Sequence, residues 1–182
     1  MDNEVEAYLG RVERTFAFID LSGFTRFTSI EGDERAVMLL ALFRRCVRES
    51  AARRSVRIAK WLGDGAMLVG SEADRVALTA LEVAEFVNRS SPLPLRGGIA
   101  TGPVILFEGD DYIGDAVNLA ARLADVAGPG EVVSDQRTSD VACGVVTCDP
   151  LGLVPVEGLA TPVRVYRLHL GSGVAGVSGD AP

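Results

Sequence analysis

Short apolar runs bounded by glycine-bearing turns alternate along this chain with longer stretches in which apolar residues recur every three or four positions. The run Thr15 to Asp20, TFAFID, is rich in aromatic and branched residues and predicts a buried strand that ends on an acid. LSGFTRFTSIEGDE follows as a turn feeding a short helix. From Arg35 to Arg54, Val37, Met38, Leu40, Ala41 and Val47 fall at helical spacing. Arginines crowd the second half of that helix, where cations suit the helix dipole and read as a solvated face. Two strands, Val56 to Trp61 and Ala66 to Gly70, are joined by Leu62-Gly63-Asp64-Gly65, a hairpin signal. Ser71 with Asp74 resembles a capping box opening a helix to about Asn88, with Val76, Ala80, Val83, Ala84 and Val87 on one face. Leu95 to Ala100 and Pro103 to Phe107 read as two strands around Thr101-Gly102. Asp115 then caps a helix to Ala127, stopped by Gly128-Pro129-Gly130. Short strands follow, the last over Val163 to Leu170.

This order predicts an α+β fold with a ferredoxin-like βαββαβ core and additional C-terminal strands. One domain is expected over residues 1–170, and a flexible tail of small residues over 171–182. In such a sheet the first strand is expected beside the strand leading into the hairpin, so that Asp20 and Asp64 meet.

Composition narrows the function. At 182 residues and 48% hydrophobic the chain can bury a core without staples. A formal charge of −7 gives no attraction for nucleic acid or an anionic membrane. An acidic protein that binds a polyanion must supply metal ions and local donors. Three cysteines, Cys46, Cys143 and Cys148, with His169 as the single histidine, make a zinc site implausible, and reduced thiols in a cytoplasmic protein are expected. The first residues are polar and acidic, and no run is long enough to cross a bilayer.

A carboxylate at the end of a buried strand, followed at once by a glycine turn into a helix, can hold a hard cation while the helix amides receive a phosphate. Asp20 and the stretch Leu21 to Thr25 fit that pattern, as they fit a plain helix cap. Asp64 sits between glycines in a tight turn, as a second cation ligand or as an ordinary Asp-Gly turn residue. Asn118 and Arg122, four apart, share one face of a helix and can serve a sugar and a developing phosphate charge, or simply solvent.

FIDLSGFT, KWLGDGAML, GIATGPV and GDAVNLAARL occur in that order. Together they resemble the catalytic domain of the class III adenylyl and guanylyl cyclases, over roughly Thr15 to Leu170. The resemblance implies two divalent cations, Mg²⁺ or Mn²⁺, on Asp20, Asp64 and the Leu21 carbonyl. It implies substrate contacts from Gly23, Phe24 and Thr25, and an adenine-reading pair in Lys60 and Asp111. Asn118 would orient the ribose and Arg122 stabilise the transition state. Lysine donates to a ring nitrogen of adenine and aspartate accepts from its amine, so ATP is expected over GTP. Because the metal aspartates and the other residues come from different subunits in that family, a homodimer with two composite sites is implied. Glu157 stands near where many members carry a triphosphate-binding lysine, which leaves a weakly active or inactive nucleotide-binding module as the alternative.

Overall fold

The computed structural model of the chain describes residues 10–107 and 111–171. The elements run β1 (Arg11–Leu21), α1 (Phe24–Glu31), α2 (Asp33–Arg53), β2 (Arg57–Leu62), β3 (Gly65–Gly70), α3 (Ala73–Ser90) and β4 (Leu95–Phe107). They continue with β5 (Asp111–Ile113), α4 (Asp115–Val126), β6 (Val132–Asp135), α5 (Gln136–Ala142), β7 (Val146–Val154) and β8 (Val163–Leu170). One sheet carries all the strands in the order β2-β3-β1-β4-β6-β8-β7, with β5 folded back on β4. The first four strands keep the ferredoxin-like order, all antiparallel, and β4 to β6 is a parallel step.

β1 is central and covered on both sides, which is why its sequence reads as an apolar run rather than an alternation. Ala17, Ile19 and Leu21 pack beneath α2 and α3, whereas Phe16 packs beneath α4. α3 buries the face read from its spacing, Val76, Ala80, Val83, Ala84 and Val87. On α2 the expected face holds only in part: Val47 is buried and Leu40 half-buried, but the other buried side chains are Ala36, Leu39, Phe43, Cys46, Ser50 and Ala51, while Val37 and Met38 are 64% and 65% exposed. Several apolar stripes were available on that helix, and the sheet selected the one centred on Phe43.

Other expectations give way to tertiary structure. β1 lies beside β3, the strand leaving the hairpin, and not beside β2. Leu95 to Phe107 is one strand, because β1 pairs with it in unbroken register through Thr101 and Gly102. The Ser71–Asp74 capping box does not form: Glu72 is the N-cap, and the Asp74 carboxylate accepts from the Arg75 amide instead. Gly114, not Asp115, caps α4, with no side-chain cap bond. Cys143 and Cys148 are bonded to each other, not reduced, since the turn after α5 brings their Cα atoms to 5.7 Å; Cys46 stays free and buried. Apart from Gly171, the expected tail lies outside the described residues. No helix among the described residues is long and apolar enough to cross a membrane.

α4 rests directly on β4. A methyl group added at Gly98 would lie 2.1 Å from the Ala124 amide nitrogen and 2.4 Å from the Ala120 carbonyl oxygen. Since α4 carries Asn118 and Arg122, Gly98 sets how close those side chains stand to the sheet. Gly98→Ala is expected to cost about 1–3 kcal/mol through overpacking, lowering the melting temperature by roughly 2–10 °C. A thermal melt unchanged from wild type would show that α4 has room to move off the strand.

Candidate active site

Asp20 is the penultimate residue of β1, and its register partners are Gly65 on β3 and Arg96 on β4. Asp64 occupies the β2–β3 turn immediately before Gly65, and its carbonyl receives the Leu21 amide at 3.3 Å. Strand pairing therefore brings both carboxylates to one end of the sheet. Burial pushes the Asp64 carboxyl above its ordinary range, and the Asp20 charge adds to that shift, while its own backbone amide and Arg96 oppose it. Two carboxylates crowded in this way call for positive charge between them.

Part of that charge comes from Arg96, a residue sequence reasoning missed. Its guanidinium donates to both oxygens of Asp20, at 2.8 and 3.0 Å, and stands 3.5 Å from Asp125 on α4. The signal was the pairing of a strand that ends on an acid with one that begins on a base, visible only once the register is known.

Asp20, Leu21, Ser22, Gly23, Phe24, Thr25, Asp64 and Arg96 line one pocket of about 380 Å³. Gly23 caps α1 with φ of 84°, a left-handed conformation that suits glycine, and no side chain caps that helix. The first intrahelical bond is from the Phe27 amide to the Gly23 carbonyl, so the preceding amides face the pocket end without helical acceptors. Ser22 Oγ is buried there with no hydrogen-bond partner among the described residues. The donor set suits a hard divalent cation: the carboxylates of Asp20 and Asp64 and the neighbouring Leu21 carbonyl, all oxygen donors. Among the described residues no group of three or more His, Cys, Asp and Glu gathers, so such a cation would complete its shell with water or substrate oxygens.

A second cluster forms from distant segments. Lys60 on β2 and Asp111 at the start of β5 meet with Nζ 2.5 Å from Oδ1, both side chains about half exposed. The β4–β5 arm reaches β2 because it folds across the sheet: the Tyr112 ring lies edge-on to Phe16 of β1 at 5.1 Å, and the Arg57 guanidinium of β2 sits 5.5 Å from it. Asn118 and Arg122 are exposed on one face of α4, as their spacing requires. Among the described residues no hydrogen bond or ion pair joins either of them to Asp20 or Asp64. Arg122 instead faces Glu157 at 4.0 Å, across the loop between β7 and β8.

Residues 11–170 match the family model for the adenylate and guanylate cyclase catalytic domain. An uncharacterised protein of Mycobacterium tuberculosis is 32% identical over 155 residues, covering 84% of this chain and 40% of the relative. The pH-sensitive adenylate cyclase of the same species is 29% identical over 178 residues, covering 94% of this chain and 44% of that protein. This chain thus spans about two fifths of the length of these curated relatives. The crystal structure of the adenylyl cyclase CyaB from P. aeruginosa superposes with a TM-score of 0.79 at 26% identity, covering 92% of this chain and 98% of that one. The match over residues 11–170 covers nearly all the described residues: the chain belongs to the family of class III adenylate and guanylate cyclase catalytic domains.

Proposed function

We propose that this chain is an adenylyl cyclase that converts ATP to 3′,5′-cyclic AMP and pyrophosphate in composite sites of a homodimer. The observation that carries the choice of base is the Lys60–Asp111 contact. An ammonium beside a carboxylate offers one donor and one acceptor, the complement of adenine N1 and its amine, whereas guanine presents the reverse.

In the reaction, the ribose 3′-oxygen bonds to the α-phosphorus while the bond from that phosphorus to the oxygen bridging the β-phosphate breaks. Pyrophosphate departs and the hydroxyl proton is released. Asp20, Asp64 and the Leu21 carbonyl would hold Mg²⁺ or Mn²⁺, which when bound supply charge that acidifies the 3′-hydroxyl and neutralises the triphosphate. The free amides of Gly23, Phe24 and Thr25 receive phosphate oxygens at the start of α1. Arg96 is a forked phosphate donor beside the same pocket once Asp20 is otherwise neutralised. Asn118 orients the ribose, and Arg122 stabilises charge on the oxygens around the α-phosphorus.

The exposure of Asn118 and Arg122, without a contact to Asp20 or Asp64 in their own chain, supports a site completed by a second copy. A two-fold dimer then holds two equivalent sites and a monomer holds none. The test is cyclic-nucleotide production from ATP and GTP with manganese over a range of protein concentrations. Cyclic AMP at a specific activity that rises with concentration is expected; cyclic GMP as the main product would overturn the base assignment.

The Arg122–Glu157 pair favours a second reading, a nucleotide-binding module with little turnover, because the carboxylate neutralises the arginine the step relies on. Both groups are exposed and the contact is long, so it is expected to yield to a triphosphate. Glu157→Lys is accordingly expected to raise turnover by several-fold at most; a rise of a hundredfold or more would favour the module reading for the native chain.

A further inference from the structure

The arginine face of α2 is not merely solvated. Arg44 and Arg48, one turn apart, both lie against the ring of Trp61, with guanidinium carbons 5.0 and 5.1 Å from its centroid. Among the described residues, Arg44 alone of the two reaches further: its Nη2 donates to the carbonyl oxygen of Gly63 at 3.2 Å. Gly63 is in the turn between β2 and β3, at φ of 69°, and its carbonyl belongs to the peptide unit whose nitrogen is that of Asp64. Phe43, fully buried in the core, sits edge-on to the same tryptophan at 6.5 Å. The α2 backbone, the indole and the turn are thereby tied together at the base of the Asp64 side chain.

We infer that Arg44 is a positioning residue for the cation site, bracing the Gly63–Asp64 peptide from α2 so that the Asp64 carboxylate is held toward Asp20. The inference rests on the reading of Asp20 and Asp64 as cation ligands. The physical need is plain. A two-residue turn has few side-chain contacts of its own to set the orientation of its peptide units. Gly63 lies at φ of 69° with no side chain of its own to pin the peptide, so an unbraced turn can swing the Asp64 carboxylate away from Asp20. A charge-assisted bond to the adjoining carbonyl opposes the swing, and the stacked ring fixes the guanidinium that makes it. Groups that orient a metal ligand without touching the metal commonly change affinity by 10–100-fold.

Arg48 supplies the control, since it stacks on the same ring and makes no bond to the turn. The test measures Mn²⁺ binding to the nucleotide-free protein by paramagnetic resonance of the free ion. The fluorescence of Trp61, the single tryptophan of the chain, is followed in parallel as a spectroscopic report on the brace. Arg44→Met, which keeps the aliphatic stem and removes the donor, is expected to weaken Mn²⁺ binding roughly tenfold. Arg44→Lys, which keeps a donor and the charge over the ring, is expected to recover most of that loss. Arg48→Met is expected to stay within about twofold of wild type, although it perturbs the tryptophan signal as much. Equal weakening in Arg44→Met and Arg48→Met would mean that stacking alone matters and would overturn the brace. Unchanged binding in Arg44→Met, with binding abolished in Asp64→Asn, would overturn it while leaving the cation site in place. Unchanged binding in Asp64→Asn would remove the cation-site reading itself.

Discussion

Arg122→Ala is expected to lower kcat by about 10²–10³-fold while changing KM far less, because the group it removes acts on charge that appears only in the transition state. Arg122 is exposed on α4 and its ion pair among the described residues is the long one to Glu157, so the fold should not suffer. Asp64→Asn, nearly isosteric, removes one of the two carboxylates read as cation ligands and is expected to abolish turnover for a different reason. The pair offers a sharp test of composite sites. Mixed in equal amounts, the two inactive variants form heterodimers in half of the dimers, and one of the two sites in each heterodimer is intact. About a quarter of wild-type activity should return. No recovery on mixing, with subunit exchange shown independently, would mean that the aspartates and the arginine do not serve one site across a two-fold axis.

Base choice is expected to move almost as far. With Lys60→Glu and Asp111→Asn together, the cluster accepts from the guanine ring N–H and amine and donates to its O6. A fully buried hydrogen-bonding site can discriminate by 10⁴–10⁵. Here the two side chains are 52% and 51% exposed in the single chain, so water softens the contrast. A fall in the ATP to GTP ratio of kcat/KM of roughly 10–10²-fold is the corresponding expectation. The single change Lys60→Glu sets two carboxylates against one another and should lose activity with both nucleotides before it changes preference. A double variant that keeps the wild-type ratio would show that the purine is read elsewhere.

Much of this chain was legible before any coordinates. TFAFID, the Gly63–Asp64 hairpin, the buried face of α3 and the strand ending at Leu170 follow from local pattern, because burial period and turn chemistry are properties of neighbouring residues. The four motif blocks identified the family, since a series of short motifs in order is itself a sequence property, and the family match over residues 11–170 agrees. The spacing of Asn118 and Arg122 placed both on one helix face for the same reason.

What only the tertiary structure decided involves groups brought together from afar. The bidentate hold of Arg96 on Asp20 depends on the register of β1 against β4, in which residues 76 positions apart become direct neighbours. The resemblance already implied the pairing of Lys60 with Asp111, but how it is made, with the β4–β5 arm crossing the sheet, is tertiary. The face of α2 that is buried, the continuity of β4 through Thr101-Gly102, and the bonding of Cys143 to Cys148 were each settled by what packs or pairs against them. Local propensity is worth a few tenths of a kcal/mol per residue, whereas an inter-strand register or a buried face commits several kcal/mol at once, so where the two compete the longer-range term wins.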